Sequence, residues 1–144
     1  MKTLIRIKMQ RIGDQGYHPI IKIRINGVEV RVVVDTGASR TIFDHNKIQV
    51  IMEGEKQKQE NSVSAGLGTS TMRSSTLRIR TLQLGGFKLR NYKTYVCDLQ
   101  HIHDSYTADG VEHIHGVIGS DILRKFKAEI CYRRKRLTLY DDSL

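Results

Sequence analysis

The sequence predicts an all-β fold. Apolar and charged residues alternate in LIRIKM, IKIRI and LRIR, which is the period of half-buried strands. The apolar runs are short and punctuated by glycine or asparagine. A parallel α/β sheet needs crossovers of roughly ten or more residues between strands, and this chain has room for one at most. Its 144 residues and 39% apolar content fit one domain, 1–144, with a core of its own.

The elements follow in order. Residues 2–9 and 20–34 are strand-rich, and Asn26-Gly27 between IIKIRI and VEVRVVV is a hairpin turn signal. Thr41-Ile42-Phe43 is a short apolar piece, after which Asp44 caps a brief helix through about Val50. Residues 53–63 are polar and lead into SAGLGTSTM, where Gly66 and Gly68 mark a turn. STLRIRTLQLGGFKLRNYKTYVCDL reads as two strands around Gly85-Gly86, and residues 100–113 as a polar loop rich in His and Asp. GVIGSDILRKF begins apolar and ends in a short helical pattern. Two final strands, KAEICY and LTLY, flank Arg133-Arg134-Lys135-Arg136 as a hairpin turn. The whole is strand in short pieces with one or two short helices.

Composition narrows the function classes. A net charge of +9 would attract nucleic acid, an anionic membrane or an acidic substrate. The charge is spread over the solvated faces of alternating strands, and no nucleic-acid-reading module is recognisable, so nucleic acid is not the expected partner. No apolar run approaches the roughly 18 residues of a membrane span. The opening MKTLIRIKMQRIG has too short an apolar patch for a signal peptide and is broken by Arg6, Lys8 and Arg11, so a cytoplasmic protein is expected. Cys97 and Cys131 lack CxxC spacing and read as buried thiols.

Two segments carry chemistry. In VEVRVVVDTGASR the valines Val32 to Val34 deliver Asp35 from within a sheet, and Thr36, Gly37, Ala38 and Ser39 stay small. Backbone N–H groups and hydroxyls can therefore approach the carboxylate and favour its ionised form. An ordinary turn is the bland alternative for Asp-Thr-Gly alone. The second segment is GVIGSDIL, residues 116–123, where a glycine after two branched residues allows close packing beneath a loop.

Together these segments resemble the retropepsin-like aspartic proteases, over roughly Ile20 to Leu139. The resemblance implies a closed acid-protease barrel with a flap hairpin. It makes Asp35 the catalytic aspartate and Thr36 the residue tying two active-site loops across a dimer axis. Gly37, Ala38 and Ser39 support the loop; Val117, Ile118 and Gly119 are threaded behind it. The flap tip falls at Gly66-Leu67-Gly68, with Leu67 and Ile118 expected to line substrate subsites. Peptide hydrolysis in this family uses two carboxylates around one water, and like charges so close share a proton. The chain holds the motif once; Thr107-Ala108-Asp109-Gly110 has the wrong order. The resemblance therefore implies an aspartic endopeptidase working as a homodimer on an extended peptide, without metal or other cofactor. A catalytically silent peptide-binding or dimerisation module is the alternative.

Three features depart from the pattern. Arg40 follows the motif where many relatives have something smaller, and it either meets an acidic substrate residue or points outward. The ending Tyr140-Asp141-Asp142-Ser143-Leu144 is charged, unlike terminal strands that interleave across a dimer. His101-x-His103 and His113-x-His115, near Asp104 and Asp109, would each face one side if on strands, as in some metal sites. A His-rich surface loop is the competing reading of the same residues, and one that titrates near pH 6.5 is a third.

Overall fold

A computed structural model describes residues 1–14, 16–52, 58–66 and 69–143, with the backbone alone for 58–66 and 69–74. The strands are β1 (Lys2–Arg6), β2 (Lys8–Arg11), β3 (Tyr17–Ile25), β4 (Val28–Val34), β5 (Ile42–Asp44), β6 (Lys58–Gly66), β7 (Thr69–Leu84), β8 (Phe87–Cys97), β9 (Gly116–Ile118), β10 (Glu129–Cys131) and β11 (Arg136–Tyr140). Three helices lie between them: α1 (His45–Ile51), α2 (Gln100–Ala108) and α3 (Ser120–Lys125). None is long and apolar enough to cross a membrane.

The main sheet runs β3-β4-β9-β5-β8-β7, and β7 returns to pair with β3 at Arg24↔Gln83 and Ile25↔Leu82, so six strands close into a barrel. β2 adds outside β3 and β6 outside β7. A separate sheet orders β1-β11-β10. Turn chemistry sets the registers. Asn26 and Gly27 take φ of 49° and 81° and join Ile25↔Val28, the double left-handed turn that matches strand twist. At the next hairpin Gly85 alone is left-handed, at φ 58°, before Leu84↔Phe87 closes, with the Gly86 N–H donating to Thr3 Oγ1 at 2.8 Å.

Alternation sorts the faces. Ile21, Ile23 and Ile25 on β3 and Val30, Val32 and Val34 on β4 point inward to meet Phe43, Leu77, Ile79, Ile118, Phe126 and Leu137. Each such side chain contributes roughly 1.5–3 kcal/mol on burial. Residues of the opposite parity, Ile20 and Val33, pair across β3 and β4 and build a second cluster with Ile12, Tyr106, Ile114 and Val117.

Two expectations need correction. The chain has three short helices among the described residues, where one or two were expected, because residues 100–108 of the supposed polar loop are helical. α2 starts where Asp98 accepts the Gln100 N–H at 2.8 Å, and it buries His103 and Tyr106. Polar atoms on this face are satisfied locally: Tyr106 Oη meets His18 Nδ1 at 2.8 Å and His103 Nε2 meets the Ile114 carbonyl at 3.1 Å. Burial pushes the Tyr106 phenol up to about 12. Of the two thiols, Cys97 is buried and Cys131 half-buried. Burial raises Cys97 to about 11, with Asp44 and Asp98 adding, so it stays a thiol at neutral pH.

β9 is the tightest place. It pairs parallel with β4 and antiparallel with β5. A Cβ on Gly116 would lie 2.5 Å from the Ile42 carbonyl oxygen and 2.6 Å from Phe43 Cδ1. Just before it, His115 donates its N–H to the Arg31 carbonyl at 2.7 Å and accepts from the Asp44 N–H at 2.8 Å. Its Nδ1 is buried with no partner among the described residues. Burial, aided by Lys47 and Arg31 against Asp44 and Glu112, lowers its pKa from the ordinary value.

Gly116→Ala is therefore expected to cost about 1–3 kcal/mol through forced displacement of β5, read by urea unfolding. His115 makes a second expectation. Its folded pKa lies below the unfolded one, so below about pH 6.5 the unfolded chain takes a proton that the folded chain resists. Stability should fall as pH drops through that window, and His115→Gln should flatten that part of the dependence in urea midpoints measured at neutral and mildly acidic pH.

Candidate active site

Asp35 stands at the point where β4 leaves the sheet. Its N–H still donates to the Ile118 carbonyl at 3.0 Å, extending the β4–β9 ladder one residue beyond Val34↔Ile118. The backbone beneath the acid is thus fixed by a buried strand pair. Valine at 32 and 34 puts side chains into the main core, so the opposite parity carries Val33 to the second cluster and Asp35 to that same face, where it is exposed.

The loop then folds on itself. The Gly37 N–H donates to Asp35 Oδ1 at 2.9 Å and the Ala38 N–H to the Asp35 carbonyl at 3.2 Å. The Gly37 bond is a charge-assisted bond that holds the carboxylate's orientation. No other side chain of the described residues bonds Asp35, so its Oδ2 is unpartnered among them. Asp35, Thr36, Gly37 and Ser39 are exposed, and Ala38 packs half-buried against the second cluster.

What keeps this exposed loop in place lies behind it. Thr41, fully buried, donates its N–H and its hydroxyl to the two oxygens of Asp121, at 2.9 and 2.7 Å. The same hydroxyl accepts the Gly119 N–H at 3.1 Å, and the Ser120 N–H donates to the Ala38 carbonyl at 2.7 Å. Thr94 Oγ1 donates to the Thr41 carbonyl at 3.3 Å. Gly119 sits inside this knot, where a Cβ would be 2.6 Å from the Arg40 carbonyl oxygen and 2.7 Å from that of Ala38. Segment 116–121 is therefore locked beneath 35–41 by hydrogen bonds to both its backbone and its Asp121 side chain.

The anticipated residues separate into groups. Asp35, Thr36, Gly37, Ala38 and Ser39 form the exposed loop, and Gly119 the buried crossing behind it. Val117 is packed with Ile12, Ile20 and Val33. Ile118 is corrected: at 0% exposure in the main core it lines no open surface and serves as packing and as acceptor for the Asp35 N–H. Gly66 ends β6 opposite Thr69 in a β6–β7 hairpin, and Leu67 and Gly68 at its connection lie outside the described residues. Arg40 is exposed, with its guanidinium 4.5 Å from the centre of the Tyr95 ring.

The histidine pairs do not have strand geometry. His101 and His103 lie on α2, the first exposed and the second buried, and His103 stacks on His113 with ring centres 4.6 Å apart. No group of three or more His, Cys, Asp or Glu among the described residues is arranged to hold a metal ion. Sequence reasoning missed the roles of Thr41 and Asp121. The available signal was a hydroxyl and an acid each adjoining a recognised segment, but their meeting spans eighty positions of chain.

A family model described as aspartyl protease matches residues 21–122. No curated protein matches the chain. Among solved structures, a retropepsin-like aspartic protease from Rickettsia conorii aligns at TM-score 0.58 and 19% identity, over 97% of this chain and 91% of that one. The retroviral protease-like domain of Ddi1 from Leishmania major aligns at 0.58 and 20%, over 88% and 90%. EIAV protease complexed with the inhibitor HBY-793 aligns at 0.54 and 18%, over 74% and 86%. At such identities these likenesses establish the barrel as retropepsin-like in fold.

Thr41→Val keeps the shape of the side chain and removes the hydroxyl shared by Asp121 and Gly119. It should cost about 1–3 kcal/mol in urea unfolding by leaving buried polar groups unpaired, whereas Thr41→Ser should retain most of the stability.

Proposed function

The chain belongs to the aspartyl protease family, and from that premise we propose that it is an aspartic endopeptidase in which two copies each supply one Asp35. The observation that carries this reading is an acid delivered by a buried strand to an exposed, locked loop, with one carboxylate oxygen unpartnered among the described residues. A lone carboxylate of this kind lacks the second group that acid–base hydrolysis of a peptide requires. A two-fold axis through the loop brings the same residue of a second copy opposite it. The exposure of Thr36 beside Asp35 supports an axis at that position.

In the proposed dimer one Asp35 carboxylate accepts a proton from a water as it attacks the peptide carbonyl. The other, protonated, donates to the carbonyl oxygen. Held close, the two carboxylates share one proton and titrate as a pair. The Gly37 N–H fixes each carboxylate's orientation so that little rearrangement accompanies attack. The β6–β7 hairpin takes the part of a flap closing over an extended peptide and excluding water. Each chain is read as one retropepsin-like unit, half of the dimeric site.

The expected outcome is cleavage of unfolded polypeptide with specific activity rising with protein concentration, as dimer forms. Asp35→Asn should lower that cleavage by about three orders of magnitude or more while leaving the urea midpoint close to that of the parent chain. Light scattering showing a strict monomer, or equal cleavage by Asp35→Asn, would overturn the reading. A chain that dimerises and retains extended peptides without cutting them is instead a silent binding module.

A further inference from the structure

The strongest feature outside the loop is a groove of about 680 Å³ on the outer face of the barrel. Residues 4–9 run along one wall without a break, and Ile20, Lys22 and Arg31 contribute from β3 and β4. Five cations line it, Arg6, Lys8, Lys22, Arg31 and Lys135, and no Asp or Glu does. Arg31 is engaged, donating to the Glu112 and His113 carbonyls and lying 3.4 Å from the Glu112 carboxylate. The side chains of the other four have no hydrogen bond or ion pair among the described residues. So much like charge around one depression is unfavourable until an anion fills it.

The groove has two further properties. Leu4, Ile5, Met9 and Ile20 give it an apolar floor, and no aromatic ring lines it, so there is no platform on which nucleic-acid bases could stack. β1 and β2 are each the edge strand of their sheet, so this stretch of wall offers main-chain donors and acceptors to an added strand. A second copy of this +9 chain would be a poor occupant on charge alone.

We propose that this groove binds an extended acidic peptide segment, its backbone along the β1–β2 edge, its carboxylates on the cationic rim and its apolar side chains on the floor. The site stands on its own residues and needs no catalysis by Asp35.

The test is fluorescence anisotropy with a labelled peptide of alternating Asp and Leu, on the 144-residue Asp35→Asn chain so that the probe stays intact whatever the parent chain cuts. Saturable, salt-sensitive binding is expected, with an Asn-for-Asp peptide much weaker. Lys22→Glu with Lys135→Glu should weaken binding roughly tenfold or more, and the milder Lys22→Ala with Lys135→Ala should shift it in the same direction if charge reversal harms folding. Lys88→Glu with Lys93→Glu, an equal charge change on β8, should leave it within about twofold. Absence of binding, or equal losses from both charge-reversed pairs, overturns the proposal. Tighter binding of a uridine oligonucleotide through Lys22 and Lys135 would give the groove to nucleic acid. A change in dimer mass caused by those two substitutions would give it to a second copy.

Discussion

The structure depends on β9 fitting between β4 and β5 with no room to spare. Three residues, Gly116 to Ile118, bond to strands on both sides, and glycine stands at 116 and 119 because carbonyl groups occupy the space of any Cβ. A larger residue at either place would part strands that also carry Phe43 and Val34 into the core. The barrel's central seam and the posture of the Asp35 loop are consequently one packing problem. Order at the acid is inherited from the core, which is why an exposed loop of small residues holds a defined shape.

The polar lock complements that packing. Asp121 and Thr41 form two direct hydrogen bonds, and the Thr41 hydroxyl also receives Gly119, so a donor and acceptor set around the buried Thr41 closes on itself. Such groups cost free energy when unpaired and specify geometry when paired. Asp44 works similarly on the far side, accepting from Lys47 at the start of α1 and from Leu99 ahead of α2, both at 3.0 Å. One buried acid thereby holds two helix starts to the end of β5.

Local features were legible in the sequence and distant ones were not. Asn26-Gly27, Gly85-Gly86 and the Asp44 cap are decided by neighbours a few residues away, and each stands where its composition points. α2 was illegible because its buried face uses His103 and Tyr106, whose polar atoms find partners only after folding brings Ile114 and His18 to them. Barrel closure rests on two register pairs between β3 and β7, for which no local pattern speaks. At the site, Asp35 and the small residues after it could be read directly, while the hydroxyl and carboxylate that brace them meet across the fold. Ile118 misled because an apolar residue near a cleft motif looks the same in sequence whether it faces substrate or core.

The two ends of the described chain meet. β1 pairs with β11 along Lys2–Arg6, the Met1 ammonium donates to the Asp141 carbonyl at 2.9 Å, and the Asp141 N–H returns to Met1 at 2.9 Å. Covalent order and spatial order are therefore nearly independent here. A short peptide could join residue 141 to residue 1, and the chain could be opened instead at the exposed Tyr132–Lys135 turn, with every barrel pairing kept. Circular permutation of this kind would move β11 to the start of the polypeptide. The Asp35 loop would then sit later in the order of synthesis, with no change in what surrounds it.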